Sequence, residues 1–283
     1  MADRLAELSN GTMRVQIFPN GQLGGERETA ELLQLGSIDI TKVASSVIEN
    51  FIPGMAVYSL PYLFDDSDHY WSVFQSDLGQ SILRDGERYW MRGLCYYDAG
   101  FRSFIIHGRR IEAPEDLRGL KIRVMPSNLQ IQTINALGGH ATPMSIGELY
   151  TALQSGVVDG ADGNPPTLFQ TKLFEVSDYY ILDEHSAPPD VMLISTHTWN
   201  DLTDHQQAWL EQAVDESVER QRELWEESSG LALESMREAG LEVVYPDKEP
   251  FRRAVQSMYE RLEGTEMGLL AQEIQSMNVG PIK

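Results

Sequence analysis

The chain has 283 residues, 42% of them hydrophobic and 23% charged, which is enough for two domains of ordinary size with a sizeable core. Its 43 Asp and Glu against 22 Lys and Arg give a formal charge of -21, which argues against nucleic acid and anionic membranes as partners. No apolar stretch has the length of a membrane span, and the single cysteine, Cys95, sits in the apolar run 94–97, where it reads as a buried thiol with no disulfide or zinc site open to it.

Taken in order, residues 2–8 read as a helix and 13–18 as an alternating strand turned by Pro19-Asn20-Gly21. An amphipathic helix over 26–36, with Leu32, Leu33 and Leu35 apolar and Gly36 as its stop, leads to a strand over 38–43, the rhythm of a parallel α/β sheet. Residues 51–64, rich in proline and apolar side chains, read as a loop with a short helix. Residues 68–92 read as helix, with Trp71, Phe74, Leu78 and Leu83 as core. Strands follow over 93–97 and 101–107, with a crossover into a second domain near Gly100. One helical turn over 113–119 then opens on Pro114 and stops at Gly119. The strand 120–124 alternates Leu120, Ile122 and Val124 with Lys121 and Arg123, and Pro126 ends it because proline cannot donate to a ladder.

Further on, a helix over 128–137 closes on Gly138-Gly139, and a short strand covers 141–144. Ser145 caps a helix over 146–154 in which Glu148 completes a capping box. A strand over 157–160, a helix over 168–176 and a proline-rich hinge over 179–189 come next, then a strand over 191–195. Thr203 and Gln206 open a helix that runs to Ala239, on the order of 50 Å long, with a stripe that includes Leu210, Ala213, Val214, Leu224, Leu231, Ala232 and Met236. The stripe lacks the strict heptad of a coiled-coil dimer. A strand over 243–245 and a helix over 251–277 complete the chain.

Between Arg102 and Arg123 lie six cations (Arg102, Arg109, Arg110, Arg118, Lys121, Arg123) against three acids, a local excess that marks an anion site in so acidic a chain. Arg123, late on its strand, offers five fixed donors that match a carboxylate bidentately, although an arginine on an edge strand can equally be a solvated one. Arg109 and Arg110 fall in a turn and Arg118 in a short helix, so these three stay outside the candidate site.

The run Ile111 to Val124, with its Pro-Glu-Asp-Leu-x-Gly-Leu-Lys-Ile-Arg-Val, and the run Glu148 to Gly160, with its Tyr-x-Ala-Leu-Gln-x-Gly-Val-Val-Asp-Gly, resemble the substrate-binding proteins of TRAP transporters, the DctP-like family. Phe18-Pro19-Asn20-Gly21-Gln22-Leu23-Gly24 and Leu60-Pro61-Tyr62-Leu63-Phe64 extend the likeness over nearly the whole chain. The resemblance implies an α/β, two-lobed periplasmic binding protein of the type II-like, Venus flytrap kind, with the long helix bracing both lobes. Lobe I would be 1–99 plus 190–229 and lobe II 100–189 plus 230–283. Members of the family carry a signal peptide and then a first strand. Here Met1 falls within the first helix, so that strand is expected to be missing from this sequence.

The same resemblance implies a non-catalytic periplasmic receptor, a monomer, that closes around a small organic acid and delivers it to the membrane components of a TRAP transporter. No cofactor and no metal are expected. Arg123 would pair with the ligand carboxylate, Arg102 would add a second cation, and Asn164 would donate an amide hydrogen bond. Glu26 and Ser45, at strand and helix ends, are candidates for sugar hydroxyls, and Tyr150, within the second motif, is a further candidate ligand contact. Glu26 reads equally as a first-turn acid favoured by the helix dipole. Glu49 and Asp190 are weaker candidates. The crossover Asp183-Glu184-His185-Ser186 resembles members that bind uronates, with His185 either a ligand contact or a satisfied structural histidine. D-Glucuronate or D-galacturonate is therefore the first expectation, with C4-dicarboxylates and keto acids next. A sugar-acid enzyme would need a positioned base and commonly a metal, and the chain shows no HExxH, GxSxG or phosphate loop.

Overall fold

The structure is a computed structural model, and it describes residues 1–277. Nine strands are present among them: β1 (Ile40–Ala44), β2 (Met91–Tyr97), β3 (Arg102–Ile106), β4 (Lys121–Val124), β5 (His140–Pro143), β6 (Gly160–Gly163), β7 (Tyr179–Ser186), β8 (Asp190–Ser195) and β9 (Glu242–Val244). The chain packs as two compact units. Unit 1 is Met1–Met55, Phe74–Asp98 and Pro189–Leu224, and unit 2 is Ala56–Val73, Ala99–Pro188 and Trp225–Lys283. Residues 56–73, expected with lobe I, pack with unit 2.

Unit 1 is built on a three-stranded antiparallel sheet, β1-β8-β2. One face is covered by the helix Ala2–Leu8 and the start of the long helix, so that Leu5, Cys95, Met192, Ile194, Leu210, Ala213 and Val214 form a common core. Residues 13–18 were expected as a strand and are not one. No neighbouring strand supplies ladder hydrogen bonds to them, and although Met13 and Val15 touch the core, Ile17 is 69% exposed. The parallel rhythm expected around β1 fails for the same reason, and β1 lies antiparallel to β8 instead. The expected helix over 68–92 is interrupted. Ser76 adopts an extended backbone and its hydroxyl accepts from Gly79 N–H, starting a second helix, Asp77–Arg84, after Ser67–Gln75. A 3-10 turn over Asp85–Tyr89 ends at left-handed Trp90, and Arg92 already lies in β2.

Unit 2 holds a six-stranded mixed sheet in the order β5-β4-β6-β3-β7-β9. β4 runs parallel to β5 and β6, β3 antiparallel to β6 and β7, and β7 parallel to β9. Ile105, Leu149, Ala161, Leu168, Tyr180 and Met236 are buried together against it. Two expectations shift here. The strand placed over 157–160 is Gly160–Gly163: Asp159 binds Lys121 through its own N–H (2.8 Å) and through its carboxylate (2.7 Å), and the ladder to β3 begins only after it. Residues 179–186, read as part of a hinge, form the longest strand among the described residues, and Pro188-Pro189 mark the passage to unit 1.

The expected helix over 168–176 is Pro165–Gln170 followed by a 3-10 turn, with left-handed Lys172 between. The one over 251–277 is two helices, Glu249–Leu262 and Glu266–Ser276, parted at Gly264 with φ +73° and restarted by the Thr265 cap. The long helix is Asp204–Glu238, 35 residues, opened by Thr203 and Gln206 as expected. Its stripe holds at Leu210, Ala213, Val214, Ala232 and Met236. Leu224 (45% exposed) and Leu231 (58%), seven residues apart and so on one side of the helix, face water instead. No described helix is long and apolar enough to cross a membrane.

Candidate functional site

Strand β6 lies between the two strands that carry the candidate arginines, β3 with Arg102 and β4 with Arg123. Pairing sets Arg123 opposite Ala161 and Ser103 opposite Gly163, so the next residues along β6 fall within reach of the arginines. Arg102 is buried. Its Nε donates to Asp162 Oδ2 at 2.5 Å and its Nη2 to the Asp162 carbonyl at 2.8 Å. Arg123 is buried too, and its Nε donates to the Met144 carbonyl at 2.9 Å, which fixes the plane of the guanidinium. Two cations this far from water demand compensation, and Asp162 provides it for Arg102. Burial pushes the Asp162 carboxyl up, but the Arg102 guanidinium above all, with His185 nearby, outweighs it and holds the carboxyl well below the usual range.

Asn164 follows β6 directly and is also buried. Its Oδ1 accepts Thr167 N–H at 3.0 Å, capping the helix Pro165–Gln170, and its Nδ2 donates to the Ala99 carbonyl at 2.9 Å. Those bonds fix the amide beside the strand that bears Arg102. The sequence favoured Asn164 here and passed over Asp162, the residue that meets Arg102. The spacing Asp162-Gly163-Asn164 was its only signal.

His185 lies on β7, stacked on Phe104 with ring centroids 4.4 Å apart. Its Nδ1 is 2.9 Å from Asp183 Oδ2 and its Nε2 3.9 Å from Asp162 Oδ2. Burial alone would strip its proton; Asp183 above all, with Asp162, holds it on instead, up to about 9. The Asp183 carboxyl is itself raised, chiefly by burial and against the pull of His185. Asp183 was missed in the sequence; Glu184, between it and His185, takes a left-handed φ of +52°, an irregularity of β7 that no local pattern announced.

The other candidates lie on other elements. Tyr150, on the helix Ile146–Gln154, donates its hydroxyl to Glu175 at 3.3 Å, and no hydrogen bond, ion pair or ring contact among the described residues joins it to Arg102, Arg123 or Asn164. Glu148 accepts both the N–H and the hydroxyl of Ser145, the cap that its spacing predicted. In unit 1, Glu26 opens the helix Glu26–Gln34 and accepts Ala44 N–H at 3.3 Å, beside Ser45. Ser45 is fully buried, its N–H donates to the Pro189 carbonyl, and its hydroxyl has no partner. Asp190 is taken up by an ion pair with Lys42 at 2.5 Å, and Glu49 is buried.

Comparison with known proteins sets this geometry in a family. The model of the bacterial extracellular solute-binding proteins, family 7 (DctP), matches residues 1–265. The protein YiiZ of Salmonella typhimurium is 40% identical over 265 residues, 93% of this chain and 81% of that one. A TRAP periplasmic solute-binding protein from Xanthobacter autotrophicus Py2, solved with β-D-galacturonate bound, superposes with a TM-score of 0.93 at 36% identity, covering 97% of this chain and 92% of that one. One from Pseudomonas putida F1, solved with D-glucuronate, superposes with a TM-score of 0.94 at 34% identity, covering 99% and 91%. The match over almost the entire length, in sequence and in fold, makes this chain a member of the DctP family of TRAP periplasmic solute-binding proteins, receptors that hold a solute and do not transform it.

Proposed function

We propose that this receptor binds a hexuronate, D-galacturonate or D-glucuronate, in the periplasm and passes it to the membrane components of a TRAP transporter. The observation that carries the reading is the pair of buried arginines on the strands flanking β6, in a fold whose relatives hold uronates. Arg123, oriented by the Met144 carbonyl, receives the carboxylate. Arg102 adds charge from the far side of β6, and Asn164 contributes the amide N–H left over from its bond to Ala99. Glu26 and Ser45 of unit 1 are assigned to the sugar hydroxyls, as acceptor and as unpartnered hydroxyl.

The test is a thermal-shift screen against organic acids, with each uronate beside its neutral parent sugar. A ligand at a hundred times its Kd adds about 2.7 kcal/mol. Stabilisation by a uronate, none by the parent sugar, and loss of the effect in Arg123→Ala are expected. Stabilisation by dicarboxylates or keto acids alone would reject the uronate, and intact binding by Arg123→Ala would reject the anchor.

A further inference from the structure

Asp162 accepts from Arg102 with one oxygen, Oδ2, and the same oxygen is the one facing His185 Nε2. Its other oxygen, Oδ1, has no hydrogen-bond partner. One carboxylate oxygen is thus shared by two potential cations, and the charge of the second decides how strongly Arg102 is neutralised. Behind His185 stands a second buried carboxylate, Asp183, 2.9 Å from Nδ1, so the imidazole is held from both ends between acids with Phe104 under its face. The remaining titratable groups around it come from each packed element. Tyr62, in segment 56–73, reaches Asp183 Oδ2 at 3.5 Å and carries Arg252 over its ring at 4.7 Å. Tyr180 on β7 donates to the Gly163 carbonyl, and Glu184, between Asp183 and His185, pairs with Lys248.

We propose that Asp183 is a positioning residue of the anion site: by holding His185 as an imidazolium against Asp162, it draws Asp162 charge away from Arg102 and leaves that guanidinium the stronger receiver for a carboxylate. The inference rests on the reading that Arg102 belongs to the uronate site. The balance of charge supports it. With Asp183 ionised, Arg102 and the His185 imidazolium are buried with Asp162 and Asp183, two cations with two anions. When His185 then loses its proton the four, Arg102 included, carry a net negative charge, which repels an anionic ligand. Since His185 keeps its proton up to about 9, uronate affinity is level through neutral pH and falls above that value. Without the Asp183 charge, burial regains weight against the imidazolium, and the fall moves to lower pH.

The experiment measures galacturonate affinity from pH 6 to 10 and, on ligand-free protein, the His185 imidazole titration by NMR, for wild type, Asp183→Asn and Arg102→Ala. Wild type is expected to weaken at least about threefold between pH 8 and 10. In Asp183→Asn both the weakening and the His185 titration should move down by about one pH unit or more. An unmoved His185 titration, or an affinity profile parallel to wild type, overturns the proposal. So does a wild-type affinity level to pH 10, a measurement that needs no variant to fold. Wild-type binding by Arg102→Ala overturns it through the reading beneath it, and a His185 titration that still moves tells that failure from the others.

Discussion

Replacing Asp162 with asparagine keeps the shape of the β6 side chain and removes the charge that Arg102 is buried against. Arg102 is 8% exposed and Asp162 2%, so little water can take over. Removing one partner of a buried pair leaves the other uncompensated, at about 3–5 kcal/mol. For a chain of this size that corresponds to roughly 6–20 °C in the melting of unit 2, at ~2–4 °C per kcal/mol. Urea unfolding and calorimetry of wild type, Asp162→Asn, Arg102→Met and the double variant make up the assay, a double-mutant cycle. The double variant should recover most of the loss, since both charges are then gone. The pH dependence has a definite sign. The folded carboxyl is held below its ordinary value, so its contribution is present above about pH 4 and is lost progressively as pH falls further. The gap between wild type and Asp162→Asn should therefore narrow in acid. A single-variant loss under about 1 kcal/mol, or a double variant no better than Asp162→Asn, would refute the reasoning.

Two further outcomes follow from packing and burial. A Cβ at Gly160 would lie 2.7 Å from the Ile105 carbonyl, a backbone atom that cannot turn aside, and 2.5 Å from Ile106 Cδ1. Gly160→Ala should therefore cost about 1–3 kcal/mol in urea unfolding, and a change within about 0.5 kcal/mol would show that β6 packs less closely than described. Burial, with Asp215 nearby, pushes the Cys95 thiol up to about 12. A disulfide reagent at pH 8 should leave it untouched in the native protein and modify it fully in urea, and rapid native modification would contradict its burial in the unit 1 core.

What could be read from the residues was whatever local rules decide. The Ser145–Glu148 and Thr203–Gln206 boxes are set by four consecutive residues, and the structure holds both. Period-2 alternation and a closing proline likewise sufficed for the Arg123 strand. Non-local pairing was not readable. Residues 13–18 alternate as cleanly as any strand in the chain, yet a strand exists only beside a partner. Residues 179–186 looked like a hinge because of the prolines that follow them, while their ladder to β3 and β9 depends on residues far away in sequence. The same holds for the site. Arg102 and Arg123 stood out as cations in an acidic chain, but their surroundings, Asp162 on β6 and Asp183 behind His185, depend on registers that no local pattern encodes.

Strand β6 has only four residues, two of them glycine, and so has few side chains of its own to hold it in place. A slip of one position would turn Asp162 to the opposite face of the sheet and leave a charged carboxylate among apolar side chains, with Arg102 stranded on the other side. Misthreaded arrangements of the central strand are thus penalised by two unpaired charges at once, whereas an all-apolar strand would tolerate them. The ion pair beside the candidate site therefore favours one alignment of β6 between β3 and β4 over its slipped neighbours.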